Sequence, residues 1–531
     1  MAKLNSEIIL VKNIKLDKNY INVLSYSESE MLELCRKNAI AIQDDYSFIR
    51  QNNNNIYSNF TYDQCLQANY IAFQNKDYSN KWFFAFIEDI VYKGDNNTEI
   101  IYKIDSWSTW FDYWQKKPCF ISRQHTNNDT IGANTEPENL DIGDIFCESE
   151  DIFTDLSNNY YFMIMSTYDP ALNRDFTGVT RINGVLFGQN MYAFENDNIG
   201  VISLMHFLQD VNKDGKIEGV LNLFIAPKVL IDNIGKREVS DTYEGATYNY
   251  YILDTGAVFN NDSSENAIEL PFVINRTKSF SDYTPKNNKL FVYPYNYLFV
   301  TNNIGNNNIY KYEDFFLNGQ PLNDISFAVQ LSLSIGVSCR LVPRGYKNID
   351  YNYDETLPLA KYPTCSWASD AFTNWLTDNA VNIGTQVAST AVGVATGNAP
   401  TVAGNIANLI GSFYQASLLP SIQGGNNNGD VNFSAKTNNF KFYHMRCKTE
   451  YLRIIDDYFS RFGYKINRLE TPNIVGRKNW NYIEIGSSES IGFGSVPTSY
   501  MEEINNACRK GVTIWHNHDN IGNYNLENSI V

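Results

Sequence analysis

No Cys-x-x-Cys pair occurs in the sequence: its eight cysteines, at 35, 65, 119, 147, 339, 365, 447 and 508, stand far apart. The usual spacings of zinc and dithiol redox sites are therefore missing, and the expected role of most of the cysteines is that of reduced core residues. A nucleophile elbow, a phosphate-cradling Gly-rich loop and a zinc motif are also lacking. Basic residues are in deficit, with 42 Lys and Arg against 59 Asp and Glu and a formal charge of −17. Such an acidic balance is the opposite of a phosphate-gripping surface and argues against sequence-specific nucleic-acid binding. Long apolar runs are absent as well. Met1 to Glu7 carries no apolar h-region, and no stretch has the length and hydrophobicity of an ordinary span. The expectation is synthesis in the cytoplasm without a signal peptide.

One absence is local. From Asn379 to Gly429 there is no Asp, Glu, Lys, Arg or His, in a chain that is 19% Asp, Glu, Lys and Arg. Small and apolar residues alternate there with Asn, Thr, Gln and Ser, and Pro400 divides the stretch at a turn-like Thr396–Pro400. Two short helical halves are expected. In the second, Val402, Ile406, Leu409, Ile410 and Phe413 recur at helical spacing, followed by Leu418 and Leu419; the first has the poorer stripe Ile383, Val387 and Val394. Small residues recur every fourth position, Gly393 with Gly397 and Ala403 with Ala407 and Gly411, a spacing that lets helices approach closely in lipid. At ~1.5 Å per residue the Ile383 to Gly397 half reaches roughly 22 Å, short of a ~30 Å hydrocarbon core. This is a segment that can leave water but need not. A buried hairpin and an Asn/Gly linker are the alternatives on residues alone.

What is present points to strands. Aromatic residues make up 14% of the chain, with 36 Tyr and 32 Phe against 8 Trp, and with many Ile, Val and Thr they favour a strand-rich fold. At 531 residues the chain has room for two or three subdomains. Glu7 to Leu16 reads as a first strand, and Ser27 with Glu30 forms a capping box opening a helix through Cys35. Asn52 to Asn55 reads as a loop tip. Asn69 to Phe73, Lys81 to Tyr92 and Glu99 to Ile104 read as an antiparallel meander, turned at Asp95-Asn96-Asn97.

Candidate chemistry is thin. Asp210 to Glu218 imitates the first nine positions of a calcium loop, but position 12 is Leu221, where a bidentate carboxylate is needed. A helix-to-strand turn between Met205 and Phe224 is the better reading. His516 and His518 are two imidazoles in search of a third ligand. Asp105, Asp112, Glu136, Glu138, Asp141 and Asp144 hold carboxylates, but a glycosidase pair is defined by separation in space. The expectation is no catalytic residue, no metal and no cofactor.

The run Asp105, Trp107, Trp110, Trp114, Pro118 to Phe120 and Arg123, continuing through Asp129 to Leu140, resembles the tail-knob, or distal tail-tube, proteins of small short-tailed phages of Gram-positive bacteria. The likeness continues in Ile225-Ala226-Pro227, Tyr283 to Asn287, Leu290, Tyr293 to Tyr297, Tyr362-Pro363, Ser366-Trp367, Asp370 and Trp375. It resumes in Asp456 to Phe459, Gly463-Tyr464, Pro472, Arg477, Trp480-Asn481-Tyr482 and Gly511 to His516. It thus spans nearly the whole chain, in order. The resemblance implies a mainly β, homohexameric tube of β-barrel subdomains with a few short helices at the end of a short tail. Double-stranded DNA would leave through it without sequence recognition, and other tail proteins, of the upper tube or collar and the tip, would be partners. It also implies a long apolar, partly helical loop that plugs the tube mouth and later enters host membrane lipids; Asn379 to Gly429 occupies that place. On this reading 1–150 is an N-terminal tube subdomain, 151–365 a second β subdomain, 366–440 the membrane-active loop region and 441–531 a C-terminal segment completing the tube. The protein is then a non-enzymatic virion component. The alternative is a tail-tip receptor-binding or cell-wall-degrading protein.

Overall fold

Alternating and continuous runs of Ile, Val, Tyr and Phe favour pleated, packed surfaces, and strands dominate the computed structural model. It describes residues 6–44, 54–74, 80–153, 159–170, 174–175, 180–182, 185–187, 190–216, 219–232, 236–243, 246–253, 267–269, 273–303, 305–332, 338–358, 364–366 and 439–531. Contacts divide the chain into two units, each assembled from separate stretches.

The first unit comprises Met1–Asp144, Ser279–Tyr295 and Cys447–Val531. Its six-stranded antiparallel sheet runs in the order Ala39–Asp44, Glu7–Val11, Tyr70–Gln74, Trp82–Gly94, Asn97–Ile104, Asn55–Ser58. Ile8 to Val11 and Tyr70 to Phe73 are buried at successive positions, so both sheet faces are covered there. The helix Glu28–Lys37 packs on this sheet with Met31, Leu34 and Cys35 inside. It opens on the expected capping box: the Ser27 N–H donates to Glu30 Oε2 at 2.8 Å and the Glu30 N–H to Ser27 Oγ at 3.3 Å. The first strand ends earlier than its apolar pattern suggests, because Asn13 takes a φ of 58°, which no strand residue adopts. The meander strands lie close to their expected places, turning with Asn96 at φ 53°.

A five-stranded sheet in the same unit has the order Asn22–Leu24, Val512–Trp515, Trp480–Ile485, Cys119–Gln124, Tyr464–Glu470, the first pair parallel. Leu452, Ile455 and Phe459 form the buried stripe of the helix Thr449–Phe462. This helix stops at Gly463, whose φ is +66° and where a Cβ would lie 2.3 Å from the Gln124 backbone. Glycine is what lets the helix turn directly into the next strand.

The second unit comprises Ile145–Lys278 and Asn296–Arg446. A six-stranded sheet has the order Lys236–Tyr243, Ala246–Leu253, Asn190–Glu195, Tyr160–Ser166, Val220–Pro227, Thr364–Ser366. A four-stranded sheet has the order Ile145–Phe153, Phe440–Cys447, Asn296–Thr301, Asn307–Tyr310. The core is aromatic, with Tyr310, Phe315, Phe327 and Tyr346 in mutual ring contact. The calcium-loop imitation is a helix-to-strand turn: Asn198–Lys213 is helix and Val220–Pro227 strand, with residues 217 and 218 outside the described set. Asp210 faces His206 at 3.4 Å, and Asp214 accepts from the Tyr168 hydroxyl at 2.8 Å.

Candidate functional site

The charge-free stretch lies outside the described residues, and with it the apolar set from Ile383 to Leu419 and the small-residue and turn set from Gly393 to Gly411. The strands on either side of it are described. On the N-terminal side Thr364–Ser366 forms the edge of the six-stranded sheet, pairing Phe224 with Thr364 and Asn222 with Ser366. On the C-terminal side Phe440–Cys447 sits inside the four-stranded sheet, flanked by strands on both edges. Phe440, Phe442 and Arg446 are buried on one face, Arg446 paired with Glu148 at 3.2 Å, and on the other face Lys441 pairs with Glu150 at 3.5 Å. His444 lies between the Tyr312 hydroxyl at 2.6 Å and Asp151 at 3.0 Å. The returning strand is therefore anchored on both faces and both edges.

Some residues of the family likeness, among them Arg123, Glu138, Tyr283, Asn287 and Asp456, come together in the first unit as clasps between distant segments, whereas Ile225-Ala226-Pro227 belongs to the second unit and residues 362–363, 367, 370 and 375 lie outside the described set. Asp456 is fully buried on the apolar stripe of its helix. Its carboxylate accepts from the Tyr283 hydroxyl at 2.6 Å, the backbone N–H groups of Lys286 and Asn287 at 2.8 and 3.1 Å, and Asn287 Nδ2 at 2.8 Å. An ionisable residue on an apolar helical stripe is the signal that sequence reading could have used to find this clasp. Glu138 binds Lys289 at 2.7 Å, accepts from the Lys465 N–H at 2.8 Å and pairs with Arg123. Burial alone would raise its pKa, but the Lys289 ammonium and Arg123 outweigh that and hold it below the ordinary value. Asp105 caps the helix Ser106–Trp110 and accepts from Ser108 Oγ at 2.7 Å and Tyr70 at 2.8 Å; burial raises its pKa. Asp112 accepts from the Glu28 N–H, Asp141 from the Gly143 N–H, and Asp144 pairs with Lys448, while Glu136 meets Asn467 and, through its carbonyl, Lys289. These carboxylates hold separate stretches of chain together.

The histidines are likewise occupied. His516 contacts Ser25 Oγ at 2.8 Å and Asn481 Oδ1 at 3.0 Å, and His518 Nε2 accepts from the Lys15 N–H at 3.1 Å. The two rings therefore turn to different partners and present no shared ligand face. His125 accepts from the Tyr482 N–H at Nδ1 (2.8 Å), so Nε2 carries the proton and donates to the Ser460 carbonyl at 3.2 Å. Burial pulls its pKa down to about 3, and burial lowers His516 and His518 too. At these histidines the unfolded chain thus binds more protons than the folded one below pH 6.5, so their contribution to stability falls as pH drops from there toward 3. At about 1.4 kcal/mol per pH unit, His125 alone should remove roughly 2 kcal/mol between pH 6.5 and 5. Urea midpoints should fall over that range in the wild type and fall less in His125→Gln.

Comparison with known proteins shows what this strand-built chain is similar to. A family model described as the C-terminal domain of the Bacillus phage phi29 tail knob protein gp9 matches residues 259–428 and 416–529. One described as the N-terminus of the caudoviral major tail protein matches residues 4–115. The tail knob protein gp9 of Bacillus phage phi29 is 24% identical, covering 91% of this chain and 90% of its own. The tail knob protein gp9 of Bacillus phage PZA gives the same figures. The solved structure of the bacteriophage C1 tail knob protein, gp12, shares the fold with a TM-score of 0.62 at 14% identity, covering 99% of this chain and 100% of that one. The protein is a structural, non-enzymatic part of a short-tailed phage virion, located at the tail among other tail proteins. It belongs to the tail knob family represented by phi29 gp9.

Proposed function

We propose that six copies of the chain close into the distal tube of the tail, that DNA leaves through it, and that Asn379 to Gly429 first plugs the tube and then enters the host membrane to form a pore. The observation that carries this reading is the charge-free stretch itself, which departs from one strand of the second unit and returns to another. A segment without charge exchanges a packed environment for lipid at little electrostatic cost, and a firmly anchored returning strand keeps the rest of the chain in place while it does so. Ring closure also suits the open sheet edges: Ala39–Asp44 ends its sheet with Ile42 half exposed, an edge that a neighbouring copy would cover. The acidic balance would repel passing phosphates if it lines the lumen.

Native mass spectrometry of the full chain should find a hexamer, and resting rings should spare dye-loaded liposomes that leak once the loop is released, as by low pH. A monomer at micromolar concentration would overturn the ring. Deleting Ala380 to Asn428 and joining the ends with a short Gly/Ser linker should leave a soluble ring that no longer causes leakage. Loss of soluble expression in that deletion would identify the stretch as a core hairpin instead.

A further inference from the structure

A cavity of about 430 Å³ lies wholly within the first unit, walled by His125, Lys286, Asn287, Ser460 and Arg477 and roofed by the segment Tyr524–Ser529. Its floor carries a guanidinium with no carboxylate in ion-pair contact among the described residues. Arg477 is 7% exposed, yet its guanidinium meets only neutral backbone oxygens: one terminal nitrogen donates to the Thr126 carbonyl at 2.9 Å, the other reaches the Asn528 carbonyl at 3.5 Å, and Nε has no acceptor. Among the described residues no carboxylate pairs with it. Asp129, the carboxylate whose charge it feels, is spent on the Tyr464 hydroxyl and the Asn288 N–H. Asp456, behind Asn287, is saturated by the four donors described above. A buried guanidinium without a carboxylate is costly, and burial lowers its pKa accordingly.

The rest of the wall suits an acceptor. The Ser460 hydroxyl accepts from Asn287 Nδ2 at 2.8 Å, which leaves its own proton to donate. Lys286 stands at the rim, held only by an exposed pair with Asp457 at 3.0 Å. His125 has both nitrogens committed and stays neutral, so it adds no charge. The one acidic residue of the lining, Glu527, is 74% exposed and pairs outward with Lys478 at 3.7 Å.

We propose that this cavity is a binding site for the carboxylate of a small acid, with Arg477 as its counter-ion and Lys286 and Ser460 as rim donors. The size fits a small ligand. Two cations against one outward-turned carboxylate suit a monoanionic group better than a polyphosphate chain, which the acidic protein as a whole would repel. The planar guanidinium is the matching donor for a carboxylate.

The test uses the full chain and glutarate as probe, with inorganic phosphate and chloride at matched ionic strength as comparators. Calorimetry should show saturable glutarate binding with a Kd of about 1 mM or tighter, and a glutarate-dependent rise in Tm. Arg477→Met should abolish both. Lys286→Glu, at an exposed position that leaves the fold intact, should weaken binding at least about tenfold. No saturable binding by glutarate, binding unchanged in Lys286→Glu, or phosphate binding more tightly than glutarate would each overturn the assignment.

Discussion

Asp456→Ala should destabilise the first unit by roughly 3 to 6 kcal/mol, because it removes a fully buried carboxylate that accepts four hydrogen bonds, two of them from the buried Asn287. Two of the donors are backbone N–H groups, at Lys286 and Asn287, and no side-chain rearrangement can satisfy those. The adjacent Asp457 supplies the control. Its pair with Lys286 is exposed on both sides, 61% and 65%, so Asp457→Ala should cost less than about 1 kcal/mol. With domain stabilities of only about 5 to 15 kcal/mol, the first substitution should collapse the yield of folded protein and the second should pass unnoticed. Urea unfolding followed by near-ultraviolet circular dichroism separates them. Equal midpoints for the two variants would mean that the segment Tyr283–Asn287 is held by something other than the Asp456 carboxylate.

The second large effect belongs to the charge-free stretch and rests on the membrane reading. A charge placed at the centre of an inserting helix adds about 2.5 to 3.5 kcal/mol, which is on the order of a hundredfold in the insertion equilibrium. Leu409→Lys and Ile410→Asp, on the apolar stripe, should therefore suppress dye release from liposomes, whether by the isolated stretch or by triggered rings. Asn408→Lys, off the stripe, should release dye much as the wild type does, because its ammonium can reach the headgroups. Equal leakage by all three, or none from the wild-type stretch, would rule out insertion along that face.

Local devices were the most legible part of the sequence. The Ser27 and Glu30 box needs only neighbours in the chain, and so do the meander strands and the turn at Asn96. The first strand was overextended by its apolar pattern, although Asn13 is, glycine aside, of the residue type that most readily takes the left-handed conformation it adopts. The family likeness picked out Asp105, Tyr283 to Asn287, Asp456, Arg477 and Asn481 as belonging together without saying what they do. Asn287 and Asp456 join across 169 positions and Arg477 reaches Thr126 across 351, and such pairings leave no periodic trace. The weak metal and hydrolase signals at His516, His518 and the carboxylates came from residue types that serve equally well as caps and hydrogen-bond partners.

The parallel pairing of Asn22–Leu24 with Val512–Trp515 sets a timetable for the chain as it is made. Everything that completes the sheet around Cys119–Gln124 is encoded past residue 463, so the opening 144 residues leave the ribosome with apolar strand edges that nothing yet covers. The second unit, mostly contained between those stretches, can fold while they wait. A ribosome that stops before Trp480 would release a chain with that sheet unfinished, prone to clump and unable to join a tail. Completion of this sheet therefore waits for the strands Tyr464–Glu470, Trp480–Ile485 and Val512–Trp515.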